Sequence, residues 1–127
     1  MTIATDRLLE GKRILIIEDD FYLASDEKAL LERAGATVVG PFGSRCTDED
    51  IEAAGEVDGA VVDINLGQGP NFDFARRLVS RGTPFVFVTG YDAAVVPSEL
   101  SHVPRIEKPV RERQLITALA EVAGTRR

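Results

Sequence analysis

The sequence predicts an α/β fold, a five-stranded parallel sheet packed between two layers of helices. Three observations carry that expectation. Unbroken apolar runs at Ile14 to Ile17, Ala60 to Val62 and Phe85 to Val88 suit strands buried on both faces better than amphipathic edges. Stretches with apolar residues near helical spacing lie between such runs. Strand and helix alternate along the chain, which calls for parallel pairing through right-handed crossovers. At 127 residues there is material for one core and too little for two.

The first strand is expected over 12–18, KRILIIE, at the centre of the sheet. Leu23, Leu30 and Ala34 then predict an amphipathic helix, with Glu27, Lys28, Glu32 and Arg33 between them and Gly35 as the stop. Asp20, between strand and helix, is read as its N-cap and left out of any site. Ala36 to Val39 predicts a short strand closed by Gly40 and Pro41. Thr47, followed by three acidic residues, predicts the cap of a second helix ending near Ala54. After the strand ending at Asp63, Gly67, Gly69 and Pro70 bar a regular element and predict a functional loop. Asn71 is the expected cap of a third helix with Phe72, Ala75, Leu78 and Val79 as its inner stripe and Gly82 as its stop. Pro84 opens the strand 85–88. A last strand over 103–107 leads to a final helix over 110–122, with Leu115, Ile116 and Leu119 facing in. Residues 1–11 are expected as an extension, 12–122 as the folded domain and 123–127 as a tail.

Composition narrows the function. Hydrophobic content of 44% and charged content of 28% are ordinary for a globular domain. No apolar run is long enough to span a bilayer, and the start lacks a basic segment leading into an apolar one, so a cytoplasmic protein without membrane attachment is expected. A net charge of −6 disfavours sequence-independent binding to nucleic acid and favours protein partners. Cys46 has no second cysteine to pair with, and with His102 alone beside it there is no zinc-type ligand set. It reads as a free, buried or half-buried thiol.

Ligands of open parallel sheets bind outside the carboxyl ends of the strands. Here those ends carry Glu18, Asp19 and Asp20, then Asp63, Thr89 and Lys108. Singly each has an ordinary explanation: a cap, a strand threonine, a surface lysine. Together they place carboxylates, a hydroxyl and an ammonium on one rim. Crowded carboxylates need a cation, and oxygen-only ligands suit Mg²⁺. Asp63 is then the expected nucleophile toward phosphorus, with Mg²⁺, Lys108 and Thr89 each neutralising one phosphoryl oxygen.

The motifs ILIIEDD, VVDINL, VTG and EKP, in this order over 12–122, resemble those of response-regulator receiver domains. The resemblance implies a flavodoxin-like (βα)5 three-layer sandwich with strand order 2-1-3-4-5. It implies Glu18 and Asp19 as an acidic pair, Asp63 as phosphoacceptor, Asn65 giving a backbone carbonyl to Mg²⁺, and Thr89 with Lys108 as the phosphate-sensing pair. The implied activity is self-catalysed phosphotransfer to Asp63 and autodephosphorylation, not turnover of a separate substrate. The partner implied is a histidine kinase. FVFVTGY further resembles the FAT GUY receivers of alphaproteobacteria, which points to a kinase of the HWE or a related class and to a stand-alone relay member or phosphate sink.

Two features depart from the family pattern. Arg105 stands three residues before the lysine, where an aromatic switch residue is usual. The stretch from Thr89 to Lys108 is short and holds Pro97 and Pro104, so the fourth helix is expected to be abbreviated or irregular. The signal is accordingly expected in the segment 90–103, with Tyr91 repacking and Arg105 on a partner-facing surface. With no DNA-binding segment after Val122, output is expected through protein contacts. Two alternatives remain: a non-phosphorylated pseudo-receiver, which the intact rim residues oppose, and a small Asp-nucleophile phosphatase, whose haloacid-dehalogenase pattern wants Asp where Asn65 stands.

Overall fold

A computed structural model describes residues 7–66 and 69–124. Its five strands are β1 (Arg13–Ile17), β2 (Thr37–Phe42), β3 (Gly59–Asp63), β4 (Phe85–Thr89) and β5 (Arg105–Glu107). All neighbouring pairs are parallel, in the order β2-β1-β3-β4-β5, which is the flavodoxin-like arrangement expected. The helices are α1 (Phe21–Arg33), α2 (Asp48–Ala54), α3 (Asp73–Arg81) and α4 (Glu112–Gly124). Between β4 and β5 the chain makes only two single 3-10 turns, Ala93–Val95 and Ser98–Leu100, as the two prolines predict.

Alternation along each strand divides the core into two layers. Leu15, Ile17, Val62, Phe85 and Phe87 pack with Ile51 of α2 and with Phe74, Ala75 and Leu78 of α3. Ile14, Ile16, Val61, Val86 and Val88 pack with Leu30 and Leu31 of α1 and with Leu115, Ile116 and Leu119 of α4. Every residue of β3 and β4 is buried, as a parallel sheet covered on both faces requires. Among the described residues no helix is long and apolar enough to cross a membrane.

The caps follow their sequence signals. Asp20 Oδ1 accepts from the N–H groups of Tyr22 and Leu23, and Thr47 with Asp50 forms a reciprocal capping box at α2. Gly35 ends α1 at φ 99°, where an added Cβ would stand 2.8 Å from Glu10 Cα. Gly82 ends α3 in the left-handed region.

Several elements differ from expectation. β2 runs on through Gly40 and Pro41, because an edge strand tolerates a residue without an N–H donor. The cap position of α3 is Phe72, although Asn71 Oδ1 still accepts the Asp73 N–H at 2.9 Å. Phe74 takes the inner place expected for Val79, which is 50% exposed. Buried Leu100 and Val103 close the β4–β5 connection, leaving only three residues to β5. The described part of the N-terminal extension is no loose end. Leu9 is buried against the α1 side, and its N–H donates to Ala34 C=O at 2.9 Å. Gly67 of the expected loop lies outside the described residues.

Candidate functional site

Glu18, Asp63, Thr89 and Lys108 meet at the carboxyl rim because each directly follows or ends a strand of the central sheet. The register aligns Asp63 of β3 with Val88 of β4, and Thr89 with Glu107 of β5, so the rim is stepped across neighbouring strands. Asp63 is 2% exposed. One of its oxygens, Oδ2, lies 3.1 Å from Lys108 Nζ, and the other, Oδ1, accepts the Asn65 N–H at 3.0 Å. A charged neighbour and a backbone donor thus hold the carboxylate in one orientation.

Glu18 is buried beside Asp63, and its Oε2 accepts the Asp20 N–H at 3.1 Å while Oε1 has no partner. Burial first, and then the neighbouring Asp63 carboxyl, push its carboxyl up to about 8. At neutral pH Glu18 therefore favours its protonated form. Asp19 is turned the other way. It is exposed, and its Oδ1 accepts from Ser44 N–H in the loop after β2. The expected acidic pair is thus split, one member inside and one out. Asn65 offers its side-chain Oδ1 to Gly69 N–H at 3.3 Å and bridges to Pro70 across the loop.

Thr89 is fully buried, and its Oγ1 accepts the Tyr91 N–H at 2.8 Å, leaving the hydroxyl proton free to donate. Arg105 is partly buried on the edge strand β5. Its Nη1 donates to Tyr91 C=O at 3.2 Å and lies 3.4 Å from Glu107 Oε2.

Sequence reasoning missed one group. Glu27, expected among the polar residues of α1, is 3% exposed with neither carboxylate oxygen hydrogen-bonded. Burial, followed by the Asp63 charge, pushes it up to about 7, and Lys108 opposes the shift. The signal was present: Ala24, Glu27 and Leu31 follow one another at helical spacing on the buried face.

Among the described residues no three carboxylate, imidazole or thiol groups are gathered into a ready cage for a metal ion. The donor chemistry nevertheless fits a hard divalent cation. Glu18 carries a buried oxygen with no partner, and it retains a proton in place of another positive charge beside Asp63. Swinging Asp19 from Ser44 would add an exposed carboxylate to the same rim. An apolar hollow of about 400 Å³ lies at the opposite end of the sheet, between Val79, Phe85, Pro104 and Val122, with His102 as its only imidazole and no carboxylate. Cys46 is buried in the loop between β2 and α2, which raises its thiol pKa.

No protein-family model matches the chain, and no curated protein matches it by sequence. Solved structures do. A response regulator receiver protein from Sinorhizobium medicae WSM419 is 29% identical, with 94% of this chain and 99% of that one aligned at a TM-score of 0.75. SdrG from Sphingomonas melonis Fr1 is 30% identical over 85% of this chain and 95% of its own, at a TM-score of 0.69. The BeF3-activated conformation of SdrG, from Pseudomonas melonis Fr1, is 29% identical over 94% and 98%, at 0.74. With this fold, this rim and this degree of likeness, the chain belongs to the response-regulator receiver domains.

Proposed function

We propose that this receiver is a single-domain response regulator that takes a phosphoryl group from a histidine kinase onto Asp63. The observation that carries the reading is the grip on Asp63, with Lys108 Nζ at 3.1 Å on one oxygen and Asn65 N–H at 3.0 Å on the other. A buried carboxylate so held presents a lone pair to an incoming phosphorus without first losing freedom. In the proposed step an Asp63 oxygen attacks the phosphorus of a kinase phosphohistidine, the P–N bond breaks, and the imidazole leaves with the electron pair and takes up a proton. Lys108 follows one phosphoryl oxygen, and the free proton of the Thr89 hydroxyl donates to another.

Glu18, Asp63, Asp19 once released from Ser44, and the Asn65 carbonyl would hold Mg²⁺. When bound it supplies positive charge opposite the phosphoryl oxygens. BeF3 mimics a phosphoryl group on a carboxylate, and the likeness to activated SdrG supports the same chemistry at Asp63. The FVFVTGY segment supports the FAT GUY subclass, with a kinase of the HWE or a related class, a cytoplasmic setting, and output by protein contacts or by draining phosphate.

Intact mass after incubation with Mg²⁺ and acetyl phosphate tests the reading. Wild type should gain one phosphoryl group, labile to hydroxylamine, and Asp63→Asn should gain none, because the amide keeps the shape without the nucleophile. A wild type that never gains the adduct would instead be a pure interaction module, and an equal gain in Asp63→Asn would move the phosphoacceptor elsewhere. Chelating the Mg²⁺ should suppress the wild-type gain.

A further inference from the structure

Thr89, Tyr91 and Arg105 form a polar chain that leads out of the acid rim. Both backbone groups of Tyr91 are engaged: its N–H by the buried Thr89 Oγ1 at 2.8 Å, and its C=O by Arg105 Nη1 at 3.2 Å. The Arg105 side chain is only 25% exposed, and its second partner, the Glu107 carboxylate at 3.4 Å, is 73% exposed. Beside it lies a small cavity of about 80 Å³, lined by Ala93, Val96, Ser101, Val103 and Arg105 itself. One guanidinium therefore bridges the Tyr91 carbonyl and, at longer range, the Glu107 carboxylate, with the cavity open beside it.

We propose that Arg105 is a positioning residue that reads the state of Asp63 through the two backbone groups of Tyr91. The inference rests on the phosphoacceptor reading above. The Thr89 hydroxyl can deliver its proton to an anionic oxygen at Asp63 only by shifting toward it, and its oxygen is tied to the Tyr91 N–H. That shift releases the amide. The Tyr91 backbone then turns, its carbonyl leaves Arg105, and the guanidinium is left with Glu107 or turns into the cavity. The segment that must follow is held between β4 and β5 by two single turns rather than a helix, so the rearrangement disturbs few backbone hydrogen bonds. A polar relay thus stands where the family pattern has an aromatic side chain, and the exposed edge strand β5 is where the rim's state becomes readable from outside.

The test uses the full chain, ¹⁵N-labelled, with Mg²⁺ and beryllofluoride, alongside Arg105→Ala and Arg105→Lys. In wild type, beryllofluoride should shift the Tyr91 amide and Arg105 Nε resonances together, and it should speed Tyr91 amide exchange about three- to tenfold, the factor one net hydrogen bond represents. Arg105→Ala should still gain the phosphoryl mass from acetyl phosphate to the wild-type extent. Its Tyr91 amide should already exchange fast, so that beryllofluoride adds less than about twofold. Arg105→Lys, which keeps a donor, should recover part of the response. A wild type that carries the adduct with Tyr91 and Arg105 unmoved overturns the relay alone, as does a wild-type-sized response in Arg105→Ala. A wild type that forms no adduct with either reagent overturns the phosphoacceptor reading, and the relay with it.

Discussion

The β1–β3 side of the sheet and the β4–β5 side contribute to the same rim but are built differently. Glu18 and Asp63 follow or end five-residue strands at the centre of the sheet, and Glu27 is buried on the inner face of α1. Thr89 and Lys108 flank a connection that contains no helix, and β5 is a three-residue edge. The difference teaches where each kind of group is affordable. Buried, like-charged acids need a stiff frame, because a frame that yields would let them separate or hydrate. The Thr89 hydroxyl and the Lys108 ammonium, which in the proposed function answer a phosphoryl group, sit beside the segment with the least regular hydrogen bonding.

The largest expected effect separates the two crossovers by their core anchors. Leu78 of α3 and Leu100 of the second 3-10 turn are equally buried, at 1% exposure each. Leu78→Ala should cost about 3 kcal/mol in urea unfolding, while Leu100→Ala should lie at the low end of the range, about 2 kcal/mol, because a turn collapses into the void more readily than a helix. Native-state exchange should rise across 90–103 in the second variant and across the whole sheet in the first. Equal costs with equal exchange patterns would show that the two sides are equally stiff.

The second effect is a pH dependence of the acid side. Glu18 at about 8 and Glu27 at about 7 are both raised in the folded chain above the ordinary 4.5. Between pH 4.5 and 8 the folded chain keeps protons that the unfolded chain has released. Stability is therefore full below the unfolded value and falls as pH rises through the folded ones. Glu27 alone contributes on the order of 3 kcal/mol to that fall at most. Glu27→Leu should flatten the upper part of the curve and stabilise the domain at pH 8, and millimolar Mg²⁺ should flatten what Glu18 contributes. A melting temperature that rises from pH 5 to pH 8 in the absence of Mg²⁺ would contradict both assignments.

Much of this was legible in the sequence, and the exceptions have physical reasons. The buried runs at 14–17, 60–62 and 85–88 announce central strands because only such strands are apolar on both faces. Thr47 and Gly82 mark helix ends by their own chemistry. The rim residues are legible as strand ends. Where Asp19 points is not, since its partner, Ser44, sits in a loop after a different strand. Val79 was misplaced because Phe74 and Val79 flank the Ala75–Leu78 stripe on opposite sides, and packing against the sheet chose the side of the larger Phe74. Glu27 was misplaced because a charged side chain reads as surface even when its spacing puts it inside. The contact between Arg105 and Tyr91 is illegible for a related reason: its acceptor is a backbone carbonyl, which no side-chain pattern reveals.

The smallest effect concerns the tie between the two sides. Arg76 Nε of α3 lies 3.0 Å from Glu99 Oε2 in the second 3-10 turn, and both side chains are at least half exposed. Hydrogen bonding from Arg76 holds the Glu99 carboxyl below its usual range, so the pair is formed at neutral pH. An exposed pair of this kind adds almost nothing to global stability, because solvent screens it and two long side chains must be held still. Its place gives it a local role, since it joins the helix that follows the Asp63 loop to the turns that lead to β5. Glu99→Gln should leave the urea midpoint unchanged while raising amide exchange at Leu100 and Val103, whose N–H groups close the turn onto Pro97 C=O and Leu100 C=O. Raising the salt concentration should reproduce the effect in wild type and leave the variant indifferent. A variant whose exchange matches wild type at low salt would mean that Leu100, buried beneath the pair, holds the turn without help, and that apolar packing alone joins the stiff side to the mobile one.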